Sequence, residues 1–284
     1  MYARRFDLFG ITLSSWDLTF LVGAILGYWV LKAAFRIERG TEPPRLLVLR
    51  YLFTVYLAVL AAQLFAYGFD LKTKFFVPSN RFWLEYYFSP VAGPKTLYGA
   101  VLALPLLAAA VSLPWRDLGY REALDRWTPA LMTVLGVARI GCFLQGCCYG
   151  KQSDLFGFSM PRPSVVYWRH FHEGLLGAGS RWSLPVLPTQ AASSIFILSL
   201  ALWSYARLRS GHRGVFVPTI FAYSVFRFLV EFARDDPSRN MYGALSTSQW
   251  VAAALIAAIL AGGLIMKTIS ARRGRTRPSC ASPA

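Results

Sequence analysis

The chain is short of charge. Only 15% of its 284 residues are Asp, Glu, Lys or Arg, where a soluble domain carries about 25%, and this excludes an ordinary water-soluble globular protein. Acid is scarcer than base: 14 Asp and Glu stand against 30 Lys and Arg, for a formal net charge of +16. Cysteine is rare, with three of the four grouped at Cys142, Cys147 and Cys148 and the last at Cys280. That pattern is no disulfide framework for a secreted domain. No inverted internal repeat is visible, which removes the usual sequence sign of a secondary transporter. No A-x-A cleavage site follows the first apolar run, and Lys32, Arg36 and Arg39 flank its end. It therefore reads as a retained span and not as a cleavable signal peptide.

What the chain does have is apolar length. It is 55% hydrophobic, with a mean hydropathy of +0.42, and its apolar residues fall into seven blocks at about 17–35, 46–67, 96–115, 127–149, 189–208, 213–233 and 247–267. About 20 residues at 1.5 Å rise each cross a hydrocarbon layer of about 30 Å. The expected fold is an all-α polytopic membrane protein with about seven transmembrane helices over 1–267. A disordered basic tail over 268–284 would follow, drawn to anionic headgroups. The short connections 35–46, 115–126 and 208–213 and the tail are dense in Lys and Arg. The positive-inside rule makes them cytoplasmic, with the N-terminus outside and the C-terminus inside. Basic residues scattered between apolar blocks form no stripe for nucleic acid, so no nucleic-acid partner is expected.

The connections 68–95 and 151–188 then lie outside the membrane. The first is rich in Phe, Trp and Tyr, rings that favour the membrane–water boundary. The second forms a small extracytoplasmic head. It carries His170 and His172, whose rings on a strand would face one way as metal ligands do, but surface histidines are the plainer reading.

Three arginines lie within apolar blocks. Arg50 is near the end of its span and can snorkel to the surface. Arg139 and Arg227 are deeper, where a charge costs at least ~2.5–3.5 kcal/mol and is tolerated mainly for function. Arg227 and Glu231, four residues apart, share a helix face and can pair. They form either an internal ion pair or an anion site in which the carboxylate orients a guanidinium whose planar fork suits phosphate. Arg234, about two turns beyond Arg227, widens the positive field. Gly136, Gly141, Gly146 and Gly150 recur every four or five residues around Arg139, a spacing that admits a close neighbour helix or a ligand. Two intramembrane arginines and an outward mouth suggest a phospholipid headgroup site.

Cys142, Cys147 and Cys148 have three readings: soft-metal ligands, a redox set, or small semi-polar packing residues. Packing comes first, because C-x4-C-C matches no zinc spacing and adjacent cysteines close a strained ring. No cofactor or metal is expected.

The stretch "RIGCFLQGCCYG" (139–150) resembles the signature of the prolipoprotein diacylglyceryl transferase family, bacterial inner-membrane enzymes. "LTFLVGAILGYW", "LYGAVLALP", "FGFSMPRPS", "LPTQAASS", "FRFLVEFARDD" and "TSQW" follow in the family's order, so the resemblance covers nearly the whole chain. It implies seven spans, phosphatidylglycerol as donor and a lipoprotein precursor's signal peptide as acceptor. The reaction it implies is diacylglyceryl transfer to the lipobox cysteine thiol at the outer leaflet. Arg139, Arg227 and Glu231 match family positions suited to holding the leaving phosphate, and Gly150 closes the signature. Arg139, Gly141, Cys142, Gly150, Arg227 and Arg234 are the expected substrate-binding set. Elsewhere the chain departs from the pattern. The family's third-span His-Gly-Gly is Tyr98-Gly99-Ala100, which puts Tyr98 in the base position although a phenol of pKa about 10 is a poor base. The family's Asn and Glu are Cys142 and Cys147, its Tyr-Glu is Ala192-Ser193, its second-span arginine is missing near Gln63, and its first-span tyrosine is Trp16. Two outcomes follow. One is a transferase that obtains its thiolate through Tyr98, His170 or the acceptor's own ionisation. The other is a paralogue that binds an anionic phospholipid and modifies another acceptor, or only binds or moves lipid.

Overall fold

The computed structural model describes residues 5–8, 11–39, 46–69, 119–177, 179–236, 239 and 241–275. Among them the chain is mostly helical: α1 (Ser15–Arg39), α2 (Leu47–Phe69), α3 (Tyr120–Gln145), α4 (Val165–His172), α5 (Thr189–Arg209), α6 (Phe216–Val230) and α7 (Thr247–Arg275). Two antiparallel pairs depart from an all-α description, β1 (Arg5–Leu8) with β2 (Ile11–Ser14) and β3 (Met241–Tyr242) with β4 (Leu245–Ser246). Among the described residues six helices are long and apolar enough to cross a membrane, α6 counting together with the short 3-10 turn Glu231–Ala233 that extends it. The third apolar block, with Tyr98, and nearly all of 68–95 lie outside the described residues.

The helix ends have local causes. Ser14 accepts the Asp17 N–H at 3.3 Å while the Asp17 carboxylate accepts the Ser14 N–H at 2.8 Å, a reciprocal cap that starts α1. Ser246 and Gln249 do the same for α7, at 3.0 and 3.3 Å. α3 begins at Tyr120, earlier than the apolar block suggests. Arg126 pairs with Glu122 and covers the Phe35 ring at 4.8 Å, and Asp125 accepts the Gly214 and Phe216 N–H groups at 2.6 and 2.9 Å. These charges are therefore buried inside a helix and do not mark a loop. α3 stops at Gln145 because Gly146 turns left-handed (φ +67) and the Cys147 N–H reaches back to the Cys142 carbonyl at 3.1 Å. α7 runs to Arg275, past the Lys267 that ends its apolar block.

α3 is the hub. Of its apolar window 78% is buried within the protein, against 6% for α7, and the apolar side chains left outside, such as Leu260 and Leu264, suit lipid contact. α1 crosses α3 closely because Gly23 and Gly27 leave no side chain between them: a Cβ on Gly23 would lie 3.2 Å from the Val134 carbonyl oxygen. At one end of the bundle Leu31, Phe35, Leu47, Tyr51, Ala123 and Trp127 join α1, α2 and α3. Nearer the middle Met132, Leu135, Ile197, Ile220, Tyr223 and Ala252 tie α3 to α5, α6 and α7. Inside lipid such helices hold by close packing and by bonds between them. One is the Ser194 hydroxyl to the Gly136 carbonyl, 2.8 Å.

Within residues 151–188, α4 lies over a small core of Tyr149, Met160, Val166 and Val186. The stretch holding the two histidines is helical and not extended, so His170 and His172 turn away from each other. His170 is buried, accepting the Leu184 N–H on Nδ1 at 3.3 Å, and burial pushes its pKa below the usual histidine range.

Candidate functional site

The end of α3 meets the end of α6 through a short ladder that the sequence does not announce. After the turn at Gly146, Gly150 donates to the Leu187 carbonyl at 2.9 Å, Lys151 to the Ala233 carbonyl at 2.8 Å, and Asp235 to the Tyr149 carbonyl at 3.2 Å. The middle strand is thereby held between the start of α5 and the segment after α6. Gly150 has to be glycine, since a Cβ there would lie 2.7 Å from the Ala233 oxygen and from the Leu187 side chain. Gly141 instead faces α1, where a Cβ would sit 2.1 Å from the Thr19 hydroxyl and 2.9 Å from the Trp16 Cα. The recurring glycines thus serve contacts with different segments, and Gly141 is a packing position against α1.

This ladder gathers the arginines. Arg227, in the last turn of α6, meets Glu231 at 2.6 Å; Arg234 meets the same carboxylate at 3.1 Å and Arg239 at 3.2 Å. Arg234 also holds Asp236 at 2.7 Å, and Arg227 donates to the Ser248 hydroxyl at 3.1 Å. Glu231 is 1% exposed, so among the described residues its charge is balanced by these guanidinium groups, with a further hydrogen bond to Ser246. Arg139 on α3 is buried at 9% exposure, interacts electrostatically with both Arg227 and Arg234, and shares Tyr223 as a neighbour with Arg227. Among the described residues Arg139 pairs with no carboxylate, and its Nε is buried without a hydrogen-bond partner. The buried groups, three guanidiniums and two carboxylates, leave one positive charge in excess, and half-buried Arg239 adds a second. In a medium of low dielectric such an excess attracts an anion strongly.

The structure therefore brings together Arg139, Arg227, Glu231 and Arg234, with Gly150 in the ladder that aligns them. A family model of prolipoprotein diacylglyceryl transferase matches residues 4–266. The chain belongs to the prolipoprotein diacylglyceryl transferase family. Among its curated relatives is the phosphatidylglycerol–prolipoprotein diacylglyceryl transferase 2 of Clostridium perfringens, 34% identical over 184 residues, 63% of each chain. The Clostridium tetani enzyme is 36% identical over 165 residues, covering 55% of this chain and 57% of that one. The Corynebacterium glutamicum enzyme is 20% identical over 281 residues, 96% of this chain and 84% of its own. The chain thus spans somewhat less than two thirds of the two clostridial relatives.

Around these arginines, sequence reasoning missed Arg239, Asp236, Ser248 and Tyr223. Tyr223 precedes Arg227 by one turn on the same helix face and was available from helical spacing. Arg239 and Asp236 come back to Glu231 through irregular backbone, which no periodicity reports. For the thiols it placed packing first, ahead of a soft metal or a redox set. The Sγ atoms of Cys142, Cys147 and Cys148 all lie within 4.8 Å of one another. The C-x4-C-C spacing excludes a metal site only if the chain runs straight. Here Gly146 and then Cys148 take left-handed conformations, at φ +67 and +58, and curl the loop back on the helix end. Cys148 is the one non-glycine residue with positive φ among the described residues, a strain of about 1–3 kcal/mol that packing alone gives no reason to keep.

Proposed function

We propose that this protein moves the diacylglyceryl group of phosphatidylglycerol to the lipobox cysteine thiol of a lipoprotein precursor. In this reading it works at the outer leaflet of the bacterial cytoplasmic membrane, with its N-terminus outside and C-terminus inside. The observation that carries the reading is Arg139, a buried guanidinium that pairs with no carboxylate among the described residues, beside Arg227 and Arg234. The acceptor sulfur, as thiolate, attacks the glyceryl carbon. The carbon–oxygen bond breaks, its electrons stay on the phosphate oxygen, and glycerol phosphate leaves. Guanidinium groups fixed in place before the reaction stabilise the charge that develops there, and in a site that excludes water they do so without reorganisation. Glu231 keeps Arg227 and Arg234 aimed and separated. Tyr98 occupies the family's base position in this reading, while Cys142 lines the lipid headgroup.

Complementation tests this. With the resident transferase depleted, the chain is expected to restore lipoprotein maturation, and its Arg139→Ala variant to fail. A wild-type chain that binds phosphatidylglycerol but leaves the precursors unmodified overturns the reading and points to the paralogue with another acceptor.

A further inference from the structure

We propose that Cys142, Cys147 and Cys148 form a three-thiolate zinc site whose open fourth position takes the thiol of the acceptor. Three observations lead there. The sulfurs are already within 4.8 Å of one another. A tetrahedral zinc–thiolate centre with bonds of about 2.3 Å needs neighbouring sulfurs about 3.8 Å apart, so closing takes at most about 1 Å. The loop is pinned for this: Gln190 donates to the Cys147 carbonyl at 2.6 Å and Thr189 to the Cys148 carbonyl at 2.7 Å. Cys142 is buried while Cys147 and Cys148 are half-buried, so the cluster lies at the edge of the packed interior.

Charge decides which ion fits. Arg139 interacts with all three cysteines, and Arg234 with Cys148. Guanidinium neighbours repel a cation held by neutral groups but favour a centre that is itself anionic. Zn2+ with three thiolates carries one negative charge, and a fourth thiolate brings it to two. The donor set is sulfur only, which selects a soft or borderline ion over Mg2+ or Ca2+. Three protein ligands with one position free is the arrangement of a reacting zinc site, not of a closed structural one.

The identity of the fourth ligand rests on the transferase reading. A thiol that binds zinc gives up its proton to solvent and stays a thiolate at neutral pH. Bound here it lies beside the arginines proposed to hold the phosphate, next to the carbon that the phosphate oxygen leaves. Its sulfur electron pair forms the carbon–sulfur bond, the carbon–oxygen pair departs with the phosphate, and zinc is neither oxidised nor reduced. The centre thus supplies the thiolate where the family's histidine is replaced by Tyr98.

The full chain, purified in detergent under reducing conditions and desalted after exposure to Zn2+, is the material for the test. About one zinc per chain is expected by elemental analysis, falling about tenfold or more in Cys142→Ser, Cys147→Ser and Cys148→Ser. A cooperative thermal unfolding transition reports that each variant is folded. With Co2+ in place of zinc, thiolate-to-cobalt absorption is expected, changing when a lipobox peptide is added and not when its cysteine is serine. A wild-type chain that binds the lipid yet takes up neither metal overturns the site. Metal uptake with no response to the peptide thiol overturns the open position. Metal uptake and a spectral response without lipid transfer support the site and count against the transferase reading.

Discussion

Arg139 and Arg227 are both buried guanidiniums, yet only the removal of Arg227 should lower stability. Arg227→Ala takes a partner from Glu231, whose carboxylate is 1% exposed and 2.6 Å from that guanidinium. Breaking a buried pair costs about 3–5 kcal/mol. Arg234 and Arg239 continue to hold Glu231, so the loss sits near the lower figure, or roughly 5–10 °C in thermal midpoint for a chain of this size. Arg139→Ala strips no carboxylate among the described residues and removes repulsion against Arg227 and Arg234. Its midpoint should match the wild type or exceed it. Turnover behaves otherwise. If Arg139 meets the leaving phosphate, its loss removes one transition-state donor, worth about 10²–10³ in kcat. The assay pairs thermal unfolding in detergent with transfer of diacylglyceryl to a lipobox peptide. An Arg139→Ala protein that melts as low as Arg227→Ala while keeping wild-type turnover would refute the assignment, making Arg139 a structural ion.

Other consequences are simpler. Glu231→Gln leaves three guanidiniums without their shared carboxylate, so stability should fall by about 3–5 kcal/mol. Added phosphatidylglycerol should recover more of the thermal midpoint in the variant than it adds to the wild type; an unchanged midpoint without lipid would contradict the charge balance. Asp125→Ala removes the acceptor for the Gly214 and Phe216 N–H groups at the opposite end of the bundle. It should cost about 1–2 kcal/mol and leave turnover within about twofold, because distant sites act independently. His170 is held neutral by burial, with its folded pKa below the value of about 6.5 it has when unfolded. Its contribution to stability is present above about pH 6.5 and is lost as pH falls through the folded pKa, since the unfolded chain takes up the proton first. The thermal midpoint should therefore drop on acidification, and His170→Asn should flatten that drop.

Hydropathy carried the helices well, because a block of twenty apolar residues has few other solutions. Helix ends were legible only where a local signal sets them. The Ser246–Gln249 pair and Gly146 could be read from the sequence, as could the spacing of four between Glu122 and Arg126; Asp125 could not, because the Gly214 and Phe216 N–H groups that satisfy it lie far along the chain. The same holds at the site. Arg227 with Glu231 follows from a spacing of four, and Arg139 from the cost of a charge in an apolar block. The return of Arg239 to Glu231, the ladder through Gly150 and the convergence of three thiols depend on backbone turns with no period. A left-handed cysteine is the least predictable of these, and it is what makes Cys148 a neighbour of Cys142.

The most direct measurement of the central claim is mass spectrometry of a lipobox peptide after incubation with purified protein and phosphatidylglycerol. A peptide heavier by one diacylglyceryl group on its cysteine is expected, with glycerol phosphate released in equal amount and both products formed about 10²–10³ times more slowly by Arg139→Ala. Wild-type protein that leaves the peptide unchanged, or an Arg139→Ala variant that modifies it at the wild-type rate, would contradict it.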